Sequence, residues 1–252
     1  MLEKIPYPSP NFEPRSPKTP LDLIVLHYTD MRNAQEALIR LCDPESKVSA
    51  HFLIHKEGTP YQLVDPIYCA WHAGVSSWQG ETDINHRSIG IELDNAGHTF
   101  GPEPFSAPQM NTLADLLDEL TRTYRISPHR IVGHSDIAPL RKKDPGALFP
   151  WANLARKGFG LWPFETKWAP PIFPLLPVDS LEIQRALSDI GYGCPQTGVW
   201  DENTRKVCQA FQQHFTPHEL TGYPSAITCQ MLQGLLKIIK SPSVPSPAPG
   251  DS

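Results

Sequence analysis

The sequence predicts an α/β protein in two parts, a mixed central β-sheet flanked by helices and then a small three-helix unit. Three observations carry that reading. Short apolar runs of strand length alternate with helical patterns over residues 21–162, residues 179–240 show helical spacing alone, and proline clusters bracket both blocks.

Residues 1–20 hold six prolines and little periodicity, which predicts an extended arm lying on the surface. Residues 21–28 (LDLIVLHY) form an apolar run of the kind a buried strand shows, and they pass into Thr29-Asp30 before a helix over about 33–42. Residues 49–56 and 59–65 flank a Glu-Gly turn and read as a hairpin. In residues 88–94 (SIGIELD), Ile89, Ile91 and Leu93 face one way and Gly90, Glu92 and Asp94 the other. Residues 108–124 put Leu113, Leu116, Leu117 and Leu120 on one stripe, an amphipathic helix that returns the chain to a strand ending at Gly133.

Five more prolines in residues 163–178 suit a semi-rigid linker. Three helices follow, over 180–191 (Ile183, Leu187 and Ile190 on one face), 202–215 (Val207, Phe211, Phe215) and 225–239. Residues 241–252 are of low complexity and read as a disordered tail.

Composition excludes several classes. A net charge of -5 without a basic run or stripe argues against nucleic acid as a partner. No apolar stretch approaches the ~20 residues of a membrane span. The first residues lack the apolar core of a secretory leader. Five widely spaced cysteines, with no CxxC pair, read as scattered buried thiols rather than a disulfide framework. A monomer is the expected state.

Chemistry gathers in residues 131–151, IVGHSDIAPLRKKDPGALFPW, a stretch whose Pro139, Pro145 and Gly146 forbid regular structure. His27 and His134 each sit where an apolar strand turns polar, and Asp144 lies ten residues beyond His134. Two imidazoles and a carboxylate from separate segments would make a three-ligand zinc site with a fourth position open, the catalytic arrangement. Chance pairing of two among ten histidines remains the bland alternative. Glu92 opposes an Ile-Ile-Leu face: it is either a solvated charge or a general base, with Gly90 leaving room for substrate. Lys142 is either one solvated charge in the run 141–143 or an ammonium that stabilises an oxyanion.

HYTD at 27–30, VSAHFLI at 48–54, AWHAG at 70–74, SIGIELDN at 88–95 and GHSDIAPLRKKDPGALFPW at 133–151 resemble, in order, the zinc-dependent N-acetylmuramoyl-L-alanine amidases of bacterial peptidoglycan. That family is similar to phage T7 lysozyme and peptidoglycan recognition proteins. The resemblance implies Zn2+ held by His27, His134 and Asp144, with Glu92 as catalytic carboxylate and Lys142 supporting the transition state. It also places His72, Trp71, His51 and Asn95 in segments that line the substrate cleft. Trp71 on its own reads as a core residue, and Phe52 stands near the place of a tyrosine in T7-like members, leaving the proton work to Glu92.

LEIQRALSDIGYGCPQTGVWDENTRKVCQAFQQHF, residues 181–215, is similar to three-helix peptidoglycan-binding domains, through Ile183-Gln184, Gly191-Tyr192-Gly193 and Thr197-Gly198-Val199-Trp200-Asp201 up to Thr204. Bundle packing alone explains its apolar positions. Taken together, the two resemblances imply a catalytic domain at 21–162 and a wall-binding domain at 179–240, with peptidoglycan or a muropeptide as substrate. A zinc-less relative that binds without cutting is the alternative, and the five filled positions favour the enzyme. A wall-binding domain points to the cell envelope, whereas a leader that is not visible, being either absent or already removed, leaves the cytoplasm open.

Overall fold

The computed structural model describes residues 2–163 and 179–240. The expected linker, from 164 onward, and the tail at 241–252 lie outside the described residues.

A six-stranded mixed sheet is built around β3 (Leu23–Tyr28), whose Leu23, Ile24, Val25 and Leu26 are all fully buried. Such a strand needs cover on both faces, which is why the run is apolar without alternation. β7 (Ser88–Leu93) lies parallel on one side, with His27 opposite Glu92. β8 (Ile131–Gly133) lies parallel on the other, with Leu26 opposite Gly133. Beyond β7 come β4 (Phe52–Ile54), parallel, and β5 (Pro60–Gln62), antiparallel to β4 across the expected hairpin. The strand ends therefore deliver His27, Glu92 and the segment after Gly133 to one edge of the sheet.

One face packs Ile24, Leu26, Ile89, Ile91 and Leu93 against α4 (Ala107–Tyr124), through the Leu113, Leu116, Leu117 and Leu120 stripe. Ser106 caps that helix by accepting from Gln109 N–H (3.2 Å), and the buried Gln109 amide ties it to the carbonyls of Ile54 (2.9 Å) and Asp94 (3.0 Å). Leu53, on the other face, meets α1 (Ala34–Cys42), capped by Asn33.

Leu23, Val25 and Val132 on that second face are covered by the helical unit. Its α7 (Ser180–Ile190), α8 (Glu202–Phe215) and α9 (Ala226–Lys240) share one apolar cluster with the sheet, including Leu187, Val207, Phe211, Phe215 and Leu235. Asp179 and Asp201 cap α7 and α8. Gln184, within α7, donates to Thr204 Oγ1 (2.9 Å) and to the Val199 carbonyl (2.8 Å). That bond gives the buried glutamine of the first helix a folding role.

The N-terminal segment is extended, but it is stitched into the fold rather than laid over it. β1 (Ile5–Pro6) adds to the sheet edge beside β5, and β2 (Phe12–Pro14) pairs with β6 (Tyr68–Ala70). Asn11, buried, donates to the carbonyls of Asp43 and Val48, both at 2.8 Å. Arg15 reaches the carbonyls of Pro66 (2.7 Å), His86 (2.7 Å) and Ser88 (2.8 Å). Proline spacing predicts extension; it carries no information about which backbone groups the polar residues between the prolines find. All five cysteines are free thiols, and all but Cys42 are buried.

Arg15 also meets His51, which is fully buried and whose Nδ1 accepts the Gly90 N–H at 2.9 Å. Burial, reinforced by the Arg15 charge, holds the His51 pKa down to about 3. Between pH 6.5 and that value the unfolded chain takes up a proton that the folded chain refuses. Its contribution is therefore present above pH 6.5 and lost toward acid, at about 1.4 kcal/mol per pH unit while only the unfolded imidazole is charged. In His51→Asn, which keeps an acceptor for Gly90, the pH dependence of unfolding free energy between pH 6 and 4.5 should be shallower by about one proton; denaturant titrations with an unchanged slope would refute this.

Candidate active site

Three side chains converge where β3 and β8 end. His27 Nδ1 lies 2.9 Å from His134 Nδ1 and 3.0 Å from Asp144 Oδ2, and His134 Nδ1 lies 2.9 Å from the same oxygen. All three residues are buried. His27 arrives on β3. His134 opens the short helix α5 (His134–Ile137) directly after β8, and Asp144 returns through the loop, whose carbonyl accepts Ser135 N–H at 2.8 Å. Gly133 is required by crowding, because a Cβ there would stand 2.7 Å from Pro145 Cδ.

The outward hydrogen bonds fix which nitrogens carry hydrogen. Ser88 donates its hydroxyl to the Ile84 carbonyl (2.5 Å), so its oxygen accepts from His72 Nε2–H (3.2 Å). That leaves His72 Nδ1 to accept from His27 Nε2–H at 3.0 Å, and His27 Nδ1 without a hydrogen. His134 Nε2–H donates to the Ala73 carbonyl (3.0 Å), which frees its Nδ1 as well; Arg141 Nη2, 3.3 Å from the same nitrogen, donates to Ala73 instead. With both rings neutral, two lone pairs and a carboxylate oxygen thus face one another with no proton to share. A small dication with a preference for nitrogen and oxygen donors fits such a set, and each imidazole has the outward partner that metal-binding histidines use.

Electrostatics favour an ionised carboxylate here and disfavour the charged form of His27. Burial, then His134, lowers the His27 pKa to about 4. Burial works against ionisation of Asp144, but the charge and hydrogen bonds that the two imidazoles supply when protonated outweigh it and pull this carboxyl far below its ordinary range.

The cluster opens into a cavity of about 370 Å³ lined also by Tyr28, Trp71, Glu92, His98 and Lys142. Glu92, in register with His27, has one carboxylate oxygen buried without a hydrogen-bond partner. Its pKa is raised well above the ordinary value by burial and then by Asp144, with Lys142 opposing. The bland reading of Glu92 as a solvated outer charge is thereby excluded. Lys142 is exposed along the cavity wall; its backbone N–H donates to the Ala138 carbonyl (3.0 Å), while its ammonium makes no hydrogen bond or ion pair among the described residues. Arg141, its neighbour in the run, is spent on the carbonyls of Val75 (2.8 Å) and Ala73.

Some expected substrate contacts fall elsewhere. His51 has both ring nitrogens committed inside the fold and lines no part of the cavity. Asn95 is buried, its amide bridging Glu103 O and Gly97 N (both 3.0 Å), so it shapes the turn after β7. His72 reaches the cavity wall, but its nitrogens serve His27 and Ser88; it orients a neighbour and offers substrate no hydrogen bond. The space above Gly90 is taken by that same ring, since a Cβ on Gly90 would lie 2.4 Å from His72 Cγ. Glycine here admits an imidazole, not substrate. Trp71 is half-buried on the cavity wall, its Nε1 donating to Glu13 at 3.2 Å. Tyr28 and Ser88 lie inside the HYTD and SIGIELDN motifs, which do not reveal their roles, and His98 lies outside both; Tyr28 and His98 are bonded to each other beside Asp144.

Comparison with known proteins gives these features a common setting. Residues 17–147 match the N-acetylmuramoyl-L-alanine amidase family, and residues 178–232 match a peptidoglycan binding domain. The amidase AmiD of Escherichia coli is 36% identical over 232 residues, covering 86% of this chain and 83% of its own. The 1,6-anhydro-N-acetylmuramyl-L-alanine amidase AmpD of Haemophilus influenzae is 35% identical over 161 residues, 57% of this chain and 85% of its own. The solved complex of AmiD from Escherichia coli with anhydro-N-acetylmuramic acid-L-Ala-D-gamma-Glu-L-Lys superposes with a TM-score of 0.78 at 34% identity, over 89% of this chain and 92% of that one. With the sheet, the helical unit and the converging His27, His134 and Asp144 all in place, the chain belongs to the N-acetylmuramoyl-L-alanine amidase family.

Proposed function

We propose that the chain is a zinc-dependent amidase that cleaves the amide between the muramic acid lactyl group and L-alanine in peptidoglycan or its fragments. The observation that carries this reading is the unpartnered Glu92 oxygen, held beside three inward-facing donor atoms that share no proton. His27, His134 and Asp144 would hold the ion. When bound, zinc supplies Lewis acidity toward the carbonyl and the attacking water.

The remaining work falls to the protein. Glu92 takes the proton of the attacking water, and its raised pKa brings it nearer the range where a carboxyl both accepts and returns a proton. The same carboxyl then hands that proton to the departing alanine nitrogen. Lys142, with no competing partner among the described residues, stands in the cavity wall where an oxyanion would develop. His72 and the Ala73 carbonyl keep the two imidazoles in the tautomer that presents Nδ1. For the helical unit we propose attachment to the wall, supported by its match to a peptidoglycan binding domain.

Glu92→Gln preserves shape and should bind one zinc per chain while kcat falls by at least about 100-fold; turnover within a few fold of the parent would remove Glu92 as the base. Mass spectrometry of a digested anhydro-muropeptide should give intact stem peptide with a free alanine amine, lost on chelation and restored by zinc. Cleavage inside the stem peptide would overturn the amidase assignment. His72→Ala should weaken zinc affinity about 10- to 100-fold in chelator competition, and an unchanged affinity would show that the relay from Ser88 is dispensable.

A further inference from the structure

The donor atoms and the cavity use one side of the 134–144 loop, and the helical unit grips the other. Asp136 is 1% exposed, and its carboxylate accepts from Gly133 N–H (2.7 Å), from the Tyr192 hydroxyl (2.7 Å) and from His214 Nδ1 (2.8 Å). Gln213 Nε2 donates to Ser135 Oγ (3.0 Å) and to the Lys143 carbonyl (2.6 Å). The His214 ring is clamped between Trp151 (3.8 Å between centroids, 17°) and Phe215 (3.9 Å, 8°).

Each ligand of the loop therefore has an immediate neighbour held by α8. Ser135 follows His134 and Lys143 precedes Asp144; one glutamine amide spans both. Attachment of the unit needs none of this, since Leu187, Val207, Phe211 and Phe215 already pack on the second face of the sheet. Buried polar bonds add little net energy for their number, yet they tolerate one geometry only. Beyond α5 the segment they hold is irregular, with Pro139 inside it and Pro145 and Gly146 directly after it, so regular backbone hydrogen bonding does little to fix its course.

We propose that Gln213, His214 and Tyr192 are positioning residues for the amidase site, so that the helical unit fixes the arrangement of His134, Lys142 and Asp144. The proposal rests on the amidase reading above. Its test uses the full chain, a soluble anhydro-muropeptide too small to need wall attachment, and release of zinc to a chelator. Gln213→Ala should lower kcat about tenfold with KM within twofold and speed zinc release several-fold. Tyr192→Phe, which removes one hydroxyl and no volume, should shift both in the same direction by about threefold. Leu232→Ala, in the apolar core and remote from the loop's polar bonds, should lower the melting temperature while leaving kcat and zinc release as in the parent.

Parent-like kcat and zinc release in both Gln213→Ala and Tyr192→Phe would overturn the proposal. So would equal changes in Leu232→Ala, which would reduce the effect to stability. A parent chain that cleaves no muropeptide would overturn the amidase reading instead, and the zinc-release rates would still decide the clamp.

Discussion

Three electron-pair donors held within 3.0 Å of one another repel unless positive charge lies among them, and with both imidazoles neutral this cluster has no proton to offer. That condition is imposed from outside the cluster. A serine hydroxyl spends its hydrogen on the Ile84 carbonyl, which sets the His72 tautomer, which sets that of His27; the Ala73 carbonyl does the same for His134. The dry interior makes each of these preferences more costly to violate than it would be in water. The site is thus prepared for a cation by backbone carbonyls that never touch one.

Sheet geometry explains why such a cluster can exist. Parallel strands end together, and the register that pairs His27 with Glu92 and Leu26 with Gly133 brings His27, His134 and Glu92 to one edge without any long excursion of the chain. Only Asp144 must return through a loop, and that loop is hydrogen-bonded to another part of the molecule through Gln213.

Much of this was legible in the residues. Apolar periodicity located α4, α7 and α8 to within a residue or two, because their buried stripes are continuous and their caps, Ser106, Asp179 and Asp201, are local. The convergence of His27, His134 and Asp144 could be read from position at strand ends together with a family motif. What could not be read was direction. Periodicity places Gly90 and Glu92 on one face, but only the fold shows that His72 fills the space over one and leaves the other open. His51 and Asn95 belong to recognisable motifs and yet face inward, since a motif marks proximity to a site and not which atoms point into it. Asp136, Gln213 and His214 were silent because their partners are up to 78 residues away.

The second face of β3 carries a further implication for how the molecule comes apart. Leu23 and Val25 share one apolar cluster with Phe211 and Phe215, so prising the helices off the sheet would wet the central strand itself. Melting should accordingly be cooperative across both sequence blocks, with one heat-absorption peak where a bead-on-a-string design would give two.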